Sequence, residues 1–149
     1  MTKFSLDTNV LVYAADLAAC ERHERALDII DRAVRRNCVL TLQALAEFFH
    51  VTTRKGMVAR AEAAAQLRDW TTEFPTLPAD SGALWTALEF TAHGRFGWWD
   101  ALLLATAERH GCKIVLSENM QDGTRFGDVT ILNPFVGDEL PERVAALLR

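Results

Sequence analysis

The sequence has no C-x-x-C pair, no glycine-rich phosphate loop of the G-x-x-x-x-G-K type and no excess of positive charge. Cysteine is scarce and odd in number. Cys20, Cys38 and Cys112 stand far apart and without an accompanying histidine pattern. That argues against a disulfide framework or a zinc site, and all three read as small buried hydrophobes in a reducing compartment. Acids outnumber bases 20 to 16, for a formal net charge of −4. A protein that coats nucleic acid by charge alone is basic, so that class loses support. An enzyme that grips phosphate through a metal does not. No apolar run reaches the ~18 residues of a membrane span. Met1-Thr2-Lys3 leads straight into the first apolar run without a secretory leader, so a soluble, cytoplasmic protein is expected.

Half of the 149 residues are hydrophobic, which suits a packed core rather than disorder. One domain over residues 1–149 is expected, long enough to bury about two-thirds of its surface. There is no repeat, low-complexity tract or linker. Phe4-Ser5-Leu6 reads as a buried strand and Val10 to Ala15 as a short helix or turn. Glu21 to Arg36 reads as an amphipathic helix with His23, Ala26, Leu27, Ile30, Ala33 and Val34 on its apolar face. Its arginines are either a solvated face or a guide for a phosphate backbone.

Cys38 to Thr41 reads as the next strand. Leu42 to Arg54 follows as a helix, with Ala44, Leu45, Phe48 and Phe49 as its stripe and Gln43 and Glu47 sharing another face. An alanine-rich helix over Val58 to Trp70 comes next. Pro75 to Pro78 is a short strand at an edge or an extended link. Asp80 or Ser81 caps a helix expected to turn Leu84, Trp85 and Leu88 inward. His93 to Gly97 breaks the chain before a buried helix from Trp98 to His110, ended by Gly111. Strands at Cys112–Leu116 and Val129–Leu132 follow, then a terminal helix opened by Pro141. Strands alternating with helices imply an α/β fold: a parallel sheet with helices on both faces.

Four acids carry the chemistry. Asp7 stands at the carboxyl end of the first strand, where open α/β sheets bind ligands, although Asp-Thr-Asn also suits a helix cap. Asp100 opens a helix whose next seven residues, Ala101 to Ala107, carry no charge. The helix dipole alone favours an acid there, yet Trp98-Trp99 would wrap it in apolar surface. Glu47 is an exposed glutamate or a site residue, and Asp122 sits in a loop with Glu118 and Asn119 as rivals. Together they would form a cleft of four carboxylates, which cannot all stay ionised without a cation. Hard ions such as Mg²⁺ or Mn²⁺ take oxygen ligands of this kind and promote phosphodiester hydrolysis. An aspartyl-phosphate protein fits less well, because Asn9 stands where a phosphatase would place its second acid.

The motifs Asp7-Thr8-Asn9-Val10, Ala46-Glu47-Phe48-Phe49, Trp99-Asp100-Ala101-Leu102-Leu103-Leu104-Ala105-Thr106-Ala107 and Leu116-Ser117-Glu118-Asn119, in that order, resemble those of the PIN-domain nucleases. Within them the sequence is similar to the VapC-like toxins of toxin–antitoxin pairs, over essentially its whole length. The resemblance implies a three-layer fold around a five-stranded parallel sheet and Mg²⁺- or Mn²⁺-dependent endoribonuclease activity. It also implies an RNA substrate, a homodimer and a cognate antitoxin that fills the acidic cleft, often with an arginine. Asp7 and Asp100 would be the main metal ligands, Glu47 would complete the cluster, and Asn9 and Ser117 would orient ligands and water. Many relatives carry an aspartate where this chain has Asn119. Asp122 fits a variant pattern with the acid three positions on, and Glu118 is its alternative. Loss of that acid leaves a second reading, a catalytically silent RNA- or protein-binding module on the same fold.

Overall fold

A computed structural model describes residues 1–149. The sheet is built on β1 (Phe4–Leu6), all three residues of which are buried. It pairs in parallel with β2 (Cys38–Thr41) on one side and with β4 (Ile114–Leu116) on the other. Beyond β2 lies β3 (Thr76–Leu77), and beyond β4 lies β6 (Val129–Leu132), both also parallel. β5 (Arg125–Phe126) closes the far edge antiparallel to β6, giving the order β3-β2-β1-β4-β6-β5. The expected five parallel strands are therefore joined by a sixth, short strand. Its hairpin turns at Gly127-Asp128, where Gly127 adopts φ +55°, a value open to glycine. Two residues with a polar arginine leave no alternation to read in the sequence.

The strand order reverses at β1: the chain moves outward through β2 and β3, then returns to build β4 and β6 on the opposite side. A crevice opens at such a switch, beyond the carboxyl ends of the two strands that straddle it. Here those ends carry Asp7 after β1 and Ser117 after β4. The ladder runs one step past both strands, with the Asp7 N–H donating to the Leu116 carbonyl at 2.9 Å and the Ser117 N–H to that of Leu132 at 3.0 Å.

Two helices follow their strands without a loop. Asp7 alone separates β1 from α1 (Thr8–Ala15) and caps it, its Oδ1 accepting from the Thr8 N–H at 2.7 Å. α3 (Leu42–Arg54) starts directly after β2, capped by Thr41, whose Oγ1 accepts from the Ala44 N–H at 3.1 Å. The remaining helices are α2 (Glu21–Ala33), α4 (Arg60–Glu73), α5 (Ser81–Ala92), α6 (Trp98–Arg109) and α7 (Glu142–Leu148). α1 packs on α2 and α3, α3 on α4, α2 on α7, and α5 on α6. α6 buries Ala101 and every residue from Leu103 to Ala107, as its apolar sequence requires, and Gly111 at φ +85° stops it. No helix is long and apolar enough to cross a membrane.

Several faces differ from the sequence reading. α2 is shorter and rotated: Ile29 is buried, whereas Leu27 and Val34 are exposed. α5 turns Ala83 and Ala87 inward and leaves Leu84, Trp85 and Leu88 exposed by 40, 65 and 44 %. Small residues let α5 approach α6 closely, and a leucine or tryptophan at those positions would hold them apart. Cys38 and Cys112 are buried and free, as expected, but Cys20 is exposed at the turn into α2. The arginines of α2 are occupied. Arg25 donates to the Pro134 and Gly137 carbonyls, and Arg32 pairs with Asp28.

Candidate active site

Asp7 is the centre of the crevice. Capping α1 occupies Oδ1, and Oδ2 accepts from Ser117 Oγ at 2.7 Å and from Asn9 Nδ2 at 3.1 Å. Asn9 also donates to Ser117 Oγ at 3.2 Å, and its Oδ1 accepts from the Glu118 N–H at 3.1 Å. A strand end, the first turn of a helix and a second strand end are thereby knitted around one carboxylate. The carboxylate is 4 % exposed. Burial pushes the Asp7 carboxyl up to about 6; the hydrogen bonds from Ser117 and Thr8 oppose that rise, and the charges of Asp100 and Glu47 add to it. Capping and site-building are the same act here, so the two readings of Asp-Thr-Asn do not compete.

Glu47 reaches the crevice from the middle of α3. Its Oε2 accepts from Thr8 Oγ1 at 3.2 Å and its Oε1 from Gln43 Nε2 at 2.8 Å. Asp100 enters from the first turn of α6, half-buried. Burial raises its carboxyl first, and the neighbouring charge of Glu47 raises it further. The tryptophans do not both enclose it, since Trp99 is 63 % exposed and Trp98 is the more buried of the two. No arginine, lysine or histidine pairs with Asp7, Glu47 or Asp100; the ion pairs of the molecule lie elsewhere.

The structure brings these three acids together and places the loop acids differently. Asp122 is exposed in the turn before β5, and its Oδ1 accepts from the Asn133 N–H at 2.8 Å. Its charge is not among those that bear on Asp7 or Asp100. Glu118 is drawn away as well: Arg22 Nε donates to its Oε2 at 2.8 Å and the Tyr13 hydroxyl to its Oε1 at 2.5 Å. Asn119 is the member of the trio that faces the crevice. Its N–H donates to Ser117 Oγ at 3.1 Å, and its side chain lines two adjoining hollows. One, of about 310 Å³, also holds Thr8, Asn9, Glu47 and Lys55. The other, of about 370 Å³, holds Arg95, Asp100, Gln121 and Thr124.

Thr8 and Gln43 join the crevice with little signal in the sequence: Gln43 carries only its i, i+4 spacing to Glu47, and Thr8 its place beside Asp7. What the assembly offers chemically is an all-oxygen donor set with unbalanced negative charge, open to solvent on the Asn119 side. The side chains do not close into a cage: no three acidic, histidine or cysteine groups stand close enough to enclose an ion by themselves. Mg²⁺ would fit such a donor set only through one or two of the carboxylates, with waters and substrate phosphates completing its shell.

The sequence matches the family model described as the PIN domain over residues 5–125. No curated protein matches it significantly. Among solved structures, it is similar to VapBC2 from Rickettsia felis bound to a promoter DNA fragment, with 14 % identity over 89 % of this chain and 98 % of that one and a TM-score of 0.64. A toxin–antitoxin complex from Klebsiella pneumoniae gives 17 % identity, the same coverage of both chains and a TM-score of 0.64. VapC20 from Mycobacterium tuberculosis, a sarcin–ricin-loop cleaving toxin, gives 18 % identity over 86 % of this chain and 99 % of that one and a TM-score of 0.65. At such identities these likenesses establish the fold.

Proposed function

The chain belongs to the PIN domain family, and from that premise we propose that it is a metal-dependent endoribonuclease, the toxin of a toxin–antitoxin pair. The observation that carries the reading is the meeting of Asp7, Glu47 and Asp100 at the switch point of the sheet with no lysine, arginine or histidine side chain paired to them. A buried carboxylate with two partly buried ones beside it is unfavourable unless something positive completes the group. Mg²⁺ or Mn²⁺ fits the donor set, since both prefer oxygen ligands. Such an ion, when bound, supplies an activated water and stabilises the charge that develops on the displaced oxygen of a phosphodiester.

The side chains divide the work. Asp7 and Asp100 would hold the ion, and Glu47 would contribute directly or through water. Ser117 and Asn9 fix the Asp7 carboxylate so that its orientation survives the exchange of ligands. Asn119 takes the place of a fourth acid and orients water by hydrogen bonds. Asp122 acts at one remove, holding the loop that carries Asn119 against the Asn133 backbone. Lys55 and Arg95 line the flanking hollows and are placed to meet phosphates on either side of the cut. Single-stranded or looped RNA suits an open crevice better than an A-form helix, whose bases are hard to reach.

A partner of complementary charge follows from the same surface. The Rickettsia and Klebsiella neighbours are toxin–antitoxin assemblies, and a cognate antitoxin that inserts a guanidinium between Asp7 and Asp100 would replace the metal's charge. A homodimer belongs to the reading too, supported by the exposed Leu84, Trp85 and Leu88 of α5. A ribonuclease toxin acts where cellular RNA is, in the cytoplasm.

The test is cleavage of total RNA with Mg²⁺ or Mn²⁺. EDTA, Asp7→Asn and Asp100→Asn should each abolish it while the protein stays folded by circular dichroism. Full activity in either variant would sink the assignment. Asn119, standing where many relatives carry an acid, favours the second reading, a silent binding module. That reading predicts RNA or partner binding with no cleavage under any divalent ion.

A further inference from the structure

Glu47 and Asp100 ride on different helices, and no ion pair draws them together. What joins their supports is the side-chain amide of Gln43. Its Nε2 donates to Glu47 Oε1 at 2.8 Å and to the Trp99 carbonyl at 2.8 Å. Trp99 immediately precedes Asp100 in the first turn of α6. The second Glu47 oxygen accepts from Thr8 Oγ1. The carboxylate thus hangs between two donors, one on the helix that Asp7 caps and the other anchored on the turn that bears Asp100.

We infer that Gln43 is a positioning residue: it fixes the Glu47 carboxylate against the first turn of α6, so that Glu47 and Asp100 present oxygens to the same divalent ion. The inference rests on the metal-dependent reading given above. The chemistry of the two partners selects the residue type. A carboxylate and a carbonyl are both acceptors, and a primary amide supplies two N–H donors from one nitrogen without bringing charge. Lysine or arginine could reach the same atoms, but its positive charge would neutralise the carboxylate that the ion requires. Methionine has the same length and donates nothing. Without the Gln43 donor, Glu47 keeps only the Thr8 hydroxyl against the repulsion of its neighbours, since its charge raises the carboxyls of both Asp7 and Asp100.

Local structure puts the amide in place. The Thr41 cap starts α3 directly after β2, and one helical turn then aligns residue 43 with residue 47. Gln43 Oε1 is buried with no partner of its own. An unmet acceptor is unfavourable, so the nitrogen's two bonds set the orientation of the amide.

The test compares Mn²⁺ binding by calorimetry in wild type, Gln43→Met and Gln43→Asn, each checked for a native melting transition. Asparagine keeps the amide but withdraws it from both acceptors, so it reports if the methionine variant does not fold. Both substitutions should weaken Mn²⁺ binding by about 10–100-fold, the usual effect of removing a group that orients a metal ligand. In a Glu47→Gln background, where the positioned charge is absent, Gln43→Met should change affinity by no more than about twofold, because coupled sites are not additive. In RNA cleavage the loss should fall on kcat, with KM for RNA little changed. Wild-type affinity in both folded variants, or an equal loss in both backgrounds, overturns the positioning role and leaves the nuclease reading intact. A wild-type protein that binds no Mn²⁺ overturns both.

Discussion

Asp7 serves two purposes with one carboxylate: it starts α1, and it brings buried negative charge to the crevice. The second has a measurable effect on the fold. An ordinary aspartate titrates near about 3.9, whereas burial holds this one at about 6. Between those values the folded chain keeps a proton that the unfolded chain has lost. Stability contributed by Asp7 is therefore complete below about pH 4, declines as pH rises toward about 6, and is flat beyond. The ionised group costs roughly 2–3 kcal/mol at neutral pH. Asp7→Asn should consequently raise the melting temperature of the metal-free protein by about 4–12 °C at neutral pH, and the gain should shrink at about pH 4.5. Calorimetric scans in EDTA at the two pH values check this. A destabilised Asp7→Asn at neutral pH would show that the Ser117 and Asn9 bonds outweigh burial.

The same scale separates Asp122 from the acids of the crevice. Its carboxylate holds the Asn133 N–H, so Asp122→Asn should lower the melting temperature slightly and leave Mn²⁺ affinity unchanged. A loss of Mn²⁺ binding would return it to the cluster. Nothing in the sequence separates Asp122 from Glu118, two acids in one loop. Their fates depend on donors far away in the chain: Arg22 and Tyr13 take Glu118, and a backbone N–H beyond β6 takes Asp122. Asp7 and Asp100 stand out in the sequence because each interrupts an apolar run, although a helix cap and the helix dipole also suit an acid at those places.

Elements were legible where one face is buried by the chain itself. β1, β2, β6, α3 and α6 lie where their apolar patterns put them, and the parallel order followed from alternation of strand and helix. α5 was misread because periodicity marks an apolar stripe without saying what covers it. Ala83 and Ala87 go against α6, and the larger residues are left outside. Gln43 was equally hidden, since its second bond depends on the register of α3 against α6. The junction of β2 and α3 matters most at this scale, because it sets that register. Thr41 is fully buried and its hydroxyl caps α3. Thr41→Val should lower stability by about 1–2 kcal/mol, read as a lower urea midpoint with an unchanged slope. An unchanged midpoint would mean that the strand alone fixes the start of the helix.

At the scale of the whole molecule, the exposed stripe of α5 is the surface on which the proposed dimer is tested. Trp85 is 65 % exposed, so Trp85→Glu should leave the melting temperature of an isolated subunit nearly unchanged. In sedimentation velocity, the wild type should run as a dimer and the variant as a monomer. A variant that remains dimeric moves the interface off α5, and a monomeric wild type removes the dimer from the proposal.

Asp7 and Glu47 lie where a helix follows its strand almost without a loop, Asp100 joins them from the first turn of α6, and the charges of Asp100 and Glu47 both bear on Asp7. Such a protein is a loaded spring with one release: positive charge in the crevice. On the proposed reading, a metal ion and an inserted arginine would relieve the same repulsion, so each should tighten the fold and each should exclude the other. Thermal melting then becomes an occupancy gauge. If the proposed partner fills the crevice, its inhibition of cleavage and its protection of the fold would be two readings of a single event.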